Sequence, residues 1–248
     1  MSRKVDLLER LRYPTDDEFS ELGKELSIDW KNIFLERVGN RNEDSPVDYF
    51  FGRTELIHVY GEFNSRVFHT RMAYKLALFA YDKGIPDEPW NSPSGSDGRS
   101  TLFPNFTENV HYANQFWFFF YAESFYAKFQ GIIDFLYHVI NLRYGFYVET
   151  GLDFKRKVSK ELKKSGPDFL VLLQRYWKNN DYRQLREYRN DIIHNSRPGD
   201  ISDRISKHDS GVVSYGIGKY TPSEEIKRNM DANIKVFGEY MLLFKKYL

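Results

Sequence analysis

An arginine and a histidine stand five residues apart in the segment Glu187–Asn195, where a helical pattern comes to its end. Histidine is the residue type that gains and loses a proton near neutral pH, so it can act as a general acid or base. Arginine keeps its charge, and its donors match the oxygens of a phosphate, including the crowded phosphate of a transition state. Arg189 and His194 are therefore candidates for cutting or binding RNA without a metal ion.

The position of the pair on its helix sets a condition for this chemistry. Five residues correspond to about 140° around a regular helix, so the two side chains would not share a face. Asn195 and the following Pro198-Gly199 predict that the helix ends near His194. If the helix unwinds there, the imidazole can turn back toward the guanidinium of Arg189. The functional interpretation therefore requires a frayed or kinked helix end.

The segment around the pair is basic, although the chain as a whole has a net charge of only +1. Residues 155–197 carry 12 Lys and Arg against 5 Asp and Glu, a net charge of +7, whereas residues 1–110 have a net charge of −5. Such an asymmetry favours a local anionic partner, and a solvated helix face is the alternative. The side chains predicted to hold an RNA backbone are Lys163, Lys164, Arg183 and Arg186.

Other catalytic signatures are absent from the sequence. It has no glycine-rich phosphate loop, no Gly-x-Ser-x-Gly elbow and no His-Glu-x-x-His pair. The six histidines are scattered, and the chain has no cysteine for a thiolate site. We therefore expect neither a metal site nor a cofactor.

The hydrophobic pattern predicts an all-α helical bundle. Thr15 and Glu18 predict a capping box for the first helix. Further helical stretches are predicted at about 29–38, 46–83, 111–144, 155–164, 168–178 and 182–193, the last with Ile192 and Ile193 facing the core. A segment rich in Gly, Pro and Ser, 84–108, predicts a boundary between an N-terminal helical region, 1–108, and a C-terminal helical domain, 109–248.

The C-terminal quarter contains two further signals. The segment Gly211–Gly216 predicts a strand of a short β-hairpin. The last helix is predicted to begin with Thr221 as N-cap, Pro222 in the first turn and Glu224 closing a capping box.

Composition points to the cytoplasm. The absence of cysteine fits a reducing compartment, and the first residues lack the apolar core of a signal peptide. The apolar stretch from Phe116 to Tyr144 includes the aromatic run 116–121, but charged residues interrupt it, which predicts a buried helix and no membrane span. The exposed side of that run needs a partner, either the N-terminal helices or a second copy of the chain.

The segment 189–194, Arg-Asn-Asp-Ile-Ile-His, resembles the Arg-x(4–6)-His signature of the HEPN superfamily, helical domains of many prokaryotic defence and toxin systems. Asn190 matches the polar residue that often follows the arginine in that family. The resemblance covers at most residues 111–248. It implies a helical bundle, a homodimer that brings two motifs into one cleft, and metal-independent endoribonuclease activity.

The spacing by itself has little specificity. Composition predicts about one such match by chance, and Arg53–His58 in the acidic half is a second match. What distinguishes Arg189–His194 is its setting, with Asn190, a helix end and basic neighbours.

The hypothesis favoured by the sequence is a metal-independent endoribonuclease of HEPN type, acting as a toxin or defence effector. In it Arg189 stabilises the phosphate, His194 moves the proton and Asn190 orients one of them, and the partners are RNA, a second subunit and an antitoxin or regulatory protein. One alternative is a non-catalytic HEPN module that binds RNA, a nucleotide or a protein. In another, the pair is only structural, with Arg189 bridged to Glu123 or Asp134 and His194 favouring the helix dipole.

Overall fold

Most of the described chain is helical. The computed structural model describes residues 7, 12–36, 46–87, 106, 108–195, 203–207, 211, 213–217 and 220–248, with side chains except at 46–53 and in the two strands. The described part confirms the predicted all-α class. Within it, no helix is both long enough and apolar enough to cross a membrane.

The first two helices are short. Helix α1 (Asp16–Glu21) begins with the predicted capping box, in which the Glu18 amide donates to Thr15 Oγ1 at 3.3 Å and the Thr15 amide to Glu18 Oε2 at 2.8 Å. Gly23, at φ +62°, separates α1 from a 3-10 turn and helix α2 (Ser27–Ile33). The predicted stretch 29–38 is too long, because Phe34 already has extended backbone angles. Its residues 37 and 38 lie outside the described part.

Two long helices form the largest contact of the fold: α3 (Pro46–Tyr81) and α4 (Asn109–Arg143). They run antiparallel. Tyr81 near the end of α3 lies 5.6 Å from the ring of Phe118 near the start of α4, while the Arg66 guanidinium lies over Phe135, 4.5 Å from its centroid. At this contact Phe118 is fully buried.

The aromatic run at the start of α4 is only partly buried. Phe118 faces the core, but Phe116 and Phe120 are 40% and 52% exposed. Their rings stack on each other at 6.3 Å, four residues apart on one face of α4. Six consecutive large residues point in every direction around a helix, and the run has the exposed side that the sequence predicts. A partner for that side stays a prediction.

The remaining helices close the bundle: α5 (Phe154–Ser165), α6 (Pro167–Trp177), α7 (Asn180–His194) and α8 (Ser223–Phe244). Helix α8 packs against α2, α4, α6 and α7. Its Phe237 lies 5.5 Å from Phe129 of α4 and 5.3 Å from Tyr176 of α6. The predicted bounds of these helices are correct to within a few residues.

Helix α8 also meets the N-terminal region at very short range. At Gly238 a Cβ atom would lie 2.9 Å from the backbone oxygen of Asp29 in α2. Helices on both sides of residue 108 therefore contribute to one hydrophobic core. A division of roles between residues 1–108 and 109–248 stays a prediction.

A two-stranded antiparallel hairpin lies between α7 and α8 in the sequence. Its strands are β1 (Asp203–Lys207) and β2 (Val213–Ile217), with Asp203 opposite Ile217. The expected short hairpin is therefore present.

The start of α8 differs from the prediction. The helix begins at Ser223, and no side-chain cap comes from Thr221 or Glu224. Instead the buried carboxylate of Asp87 accepts hydrogen bonds from the Ser223 amide at 2.8 Å, from Ser223 Oγ at 2.7 Å and from the Tyr220 hydroxyl at 2.5 Å. The predicted cap is wrong because a carboxylate remote in sequence satisfies the free amide and interacts favourably with the helix dipole.

Candidate active site

Helix α7 carries the Arg–His pair and is regular throughout. Its start is capped by Asn179, whose Oδ1 accepts from the Asp181 amide at 2.8 Å. At the other end the backbone amide of Asn195 donates to the backbone carbonyl oxygen of Asp191 at 2.9 Å. The last turn is therefore intact, and the helix ends directly after His194. The predicted helix end is confirmed, but the frayed or kinked end that the functional interpretation requires does not occur.

The intact last turn keeps Arg189 and His194 apart within one chain. Helical geometry places them about 140° apart around α7. Arg189 is half-buried and His194 is exposed. Among the described residues, no hydrogen bond joins the two side chains.

Asn190 links the two faces of the helix. It accepts a hydrogen bond of 3.1 Å from Nη1 of Arg189, and it lies four residues before His194, so Asn190 and His194 are neighbours on the exposed surface. The bond turns the guanidinium of Arg189 toward that surface. Nε of Arg189 is buried and lacks a hydrogen-bond partner within the described part.

Neither structural partner considered for Arg189, Glu123 or Asp134, forms an ion pair with it among the described residues. Asp134 forms an ion pair with Lys155 and accepts a hydrogen bond of 2.7 Å from Gln130. Over the part of the chain that the structure describes, the hydrogen bond to Asn190 is the one polar contact found for the Arg189 side chain.

The inner face of α7 is held by a polar network to α8. The Tyr188 hydroxyl donates to Glu225 at 2.5 Å and accepts from Gln184 at 3.2 Å, and Gln184 accepts from Asn229 at 2.9 Å. Burial and the adjacent Glu225 raise the pKa of Tyr188. The network fixes the rotation of α7 about its axis, which determines the side from which Arg189 emerges.

One residue of the predicted inner face is misplaced. Ile192 is half-buried against the core, but Ile193 is 47% exposed. Consecutive residues differ by about 100° around a helix, so both cannot point inward. Ile193 instead adds an apolar surface beside His194.

The four predicted RNA-binding side chains lie on two helices. Lys163 and Lys164 are exposed at the end of α5, where Lys164 pairs with Glu161 at 2.8 Å. Arg183 and Arg186 are exposed on α7. Of the four, Arg186 lines a cleft between α4, α5, α6 and α7, together with Lys155 and Arg156 of α5.

The second Arg–His match has a different setting. His58 is exposed in the middle of α3, and the side chain of Arg53 is not described. No grouping of three or more His, Asp or Glu suited to a metal ion occurs in the described residues.

A family model described as HEPN_Cthe2314-like HEPN matches residues 60–248, more than half of the chain. The chain belongs to the HEPN superfamily. No curated protein and no solved structure gives a significant match.

The family match covers more of the chain than the resemblance of the motif segment does. It starts at Tyr60 inside α3, whereas the motif-based resemblance was assigned to residues 111–248. Most of α3, the long partner of α4, therefore belongs to the family region.

Sequence reasoning missed several residues of the HEPN chain that lie near the motif. Gln130, Asp134, Tyr137, Trp177 and Tyr182 line the cleft beside Arg186. They come from three helices. Helical spacing groups Gln130, Asp134 and Tyr137 on one face of α4, and Tyr182 and Arg186 on the side of α7 that also carries Arg189. No local spacing connects these two groups to each other or to Trp177.

Proposed function

We propose that this HEPN protein is a metal-independent endoribonuclease whose site combines Arg189 of one subunit with His194 of a second subunit. The observation that carries the proposal is the intact last turn of α7, which leaves His194 exposed and out of contact with Arg189 of its own chain. Two copies of α7 that meet at this end bring each histidine to the other arginine. A closed two-fold dimer produces two such sites.

The residues of the site have separate tasks in this proposal. The 2′-hydroxyl of the RNA gives up its proton and attacks the adjacent phosphorus, and the bond from phosphorus to the 5′-oxygen breaks. His194 moves the proton, and Arg189 stabilises the charge of the transition state. Asn190 holds the guanidinium through its 3.1 Å hydrogen bond. The products are a 2′,3′-cyclic phosphate and a 5′-hydroxyl.

The surrounding cations supply affinity for the RNA backbone. Two helices, α5 and α7, carry four exposed cations: Lys163, Lys164, Arg183 and Arg186. Contacts of this kind make binding strongly dependent on salt. On the basis of the family resemblance we further propose that the protein acts in a toxin or defence system of the cytoplasm. An antitoxin or regulatory protein is its further proposed partner.

The test is cleavage of end-labelled RNA by the purified full-length protein in EDTA. Wild type is expected to release fragments with a 5′-hydroxyl, and His194→Ala to lose about 10²- to 10⁴-fold in rate, the usual contribution of a general acid or base. His58→Ala is the matched control, because His58 is also exposed and belongs to the second Arg–His match. Equal cleavage by wild type and His194→Ala would contradict the assignment.

A second candidate function is RNA binding without cleavage. It is favoured by the separation of Arg189 from His194 within one chain, combined with the exposed cations of α5 and α7. This candidate predicts no cleavage by wild type. It also predicts binding that survives His194→Ala and weakens steeply between 50 and 200 mM salt, a typical range for phosphate contacts.

A further inference from the structure

A cleft between α4, α5, α6 and α7 is suited to a small planar ligand. It has a volume of about 370 Å³ and is open to solvent on one side. Pockets that hold small molecules typically enclose about 300–1,000 Å³, so one nucleotide is a ligand of the right size.

One wall of the cleft is aromatic. The rings of Tyr137 and Trp177 are stacked, 5.8 Å apart and inclined by 18°. Tyr137 is buried and Trp177 is half-buried, and both line the cleft. Accessible aromatic rings stack nucleic-acid bases with little regard to sequence.

The cleft also contains hydrogen-bonding groups. Gln130 donates to Asp134 at 2.7 Å and accepts from the Tyr182 hydroxyl at 3.2 Å. The side chains of Gln130 and Asp134 are half-buried and held in place by these bonds. Both line the cleft, so a base that enters it would meet their amide and carboxylate groups.

The charge of the cleft favours an anion. Three cations and one carboxylate line it. Lys155 pairs with Asp134, and Arg156 pairs with Asp153 at 2.8 Å. Arg186 forms no ion pair with any residue in the described part, so its guanidinium is the one available to a phosphate.

The cleft lies on the Arg189 side of α7. Tyr182, Arg186 and Arg189 are spaced by four and three residues, which places them within an arc of about 60° on one face. Arg189 follows Arg186 by one turn. An RNA strand with a base in the cleft therefore passes its phosphate from Arg186 toward Arg189.

We propose that this cleft is the base-binding subsite of the nuclease. It holds the nucleotide next to the scissile phosphate: the base stacks on Trp177, and the phosphate of that nucleotide binds Arg186. That the ligand is RNA rests on the proposed function. The cleft then sets which nucleotide stands beside the cleaved bond, because Gln130 and Asp134 meet the edge of the base there.

Binding is measured first, with a 2′-O-methyl RNA that cannot be cleaved and with the full-length protein. Trp177→Leu is expected to raise the Kd by about 5- to 150-fold, the effect of losing one base stack, and Trp177→Phe to stay within a few fold of wild type. Ser159→Phe narrows the cleft from a different helix and is expected to weaken binding in the same way. Tyr13→Leu, which removes an exposed ring outside the cleft, is the matched control.

Cleavage of a randomised RNA separates this proposal from the nuclease itself. Wild type is expected to prefer certain bases beside the cut, and Trp177→Leu and Ser159→Phe to lose that preference. If wild type cleaves and both variants keep its Kd and its base preference, the cleft proposal is overturned and the nuclease stands. If no protein cleaves but both variants lose affinity for the 2′-O-methyl RNA, the nuclease fails and the base site stands. Thermal melting shows whether each variant is folded. If Trp177→Leu does not fold, the test is made with Ser159→Phe alone.

Discussion

The guanidinium of Arg189 donates a hydrogen bond of 3.1 Å to the side-chain oxygen of Asn190, the next residue on α7. Neighbouring residues diverge by about 100° around a helix, so this bond draws the guanidinium around α7 toward the exposed face that carries Asn190 and His194. Asn190 is thereby assigned a positioning role in the proposed nuclease.

We predict that Asn190→Ala lowers kcat for RNA cleavage by about 10- to 100-fold with little change in KM, because a misplaced catalytic group costs rate more than affinity. Asn190→Asp keeps the accepting oxygen and is expected to recover most of the rate. Steady-state kinetics on one RNA measures both. Unchanged kinetics for Asn190→Ala would remove Asn190 from the site.

Because each proposed site takes Arg189 from one subunit and His194 from the other, two inactive variants are expected to complement each other. Arg189→Ala and His194→Ala are each expected to be inactive. A mixed dimer of the two variants keeps one site in which both residues are intact, since the unmodified arginine and the unmodified histidine come from opposite subunits. Random mixing is therefore expected to restore about a quarter of wild-type activity.

The mixing experiment also discriminates between arrangements of the site. If Arg189 and His194 act within one chain, the mixed dimer has no complete site and activity is not restored. Mixing each variant with itself after the same denaturation and refolding is the control for losses during exchange.

The local features of the fold were predictable, and its long-range contacts were not. The capping box of Thr15, the bounds of the long helices and the end of α7 follow from residue types within a few positions of each other. The cap of α8 by Asp87 joins residues 136 positions apart, and no local pattern indicates it. In the same way, the motif of α7 was visible in the sequence, while the cleft beside it depends on how three other helices pack.

The error at the end of α7 has a physical cause. Polar residues and a proline after His194 correctly predicted where the helix ends, but a helix end does not have to fray. The Asn195 amide completes the last turn, and the Asn195 side chain donates to Asp191 at 2.9 Å. Sequence reasoning treated the end as loose, whereas Asn195 closes it.

The surroundings of His138 predict a loss of stability in mild acid. Its ring stacks on Phe154 at 4.4 Å, and burial, then Arg66 and Lys155, lower its pKa below the ordinary 6.5. The unfolded chain therefore takes up this proton at a higher pH than the folded protein. The contribution of His138 to stability is complete above about pH 6.5 and is lost as the pH falls toward the lowered pKa.

We predict that His138→Phe reduces the drop in melting temperature between pH 7.5 and pH 5, because phenylalanine preserves the ring stack and does not titrate. His58→Asn, which removes an exposed histidine of α3, is the matched control. An equal drop for wild type and His138→Phe would show that other groups cause the acid sensitivity.

The close approach of α8 to α2 predicts opposite effects for two glycine substitutions. At Gly238 a Cβ would lie 2.9 Å from the backbone oxygen of Asp29, and backbone atoms cannot move aside without shifting a helix. Gly238→Ala is therefore expected to lower the free energy of unfolding by about 1–3 kcal/mol, as overpacking does.

Gly61 lies in α3 and is exposed, and a Cβ added there would have no atom within 4 Å. Gly61→Ala is expected to raise stability by about 0.5–1 kcal/mol through helix propensity. Urea denaturation of the two variants measures both changes, and a stabilising Gly238→Ala would mean that α2 does not pack on α8 at this distance in solution.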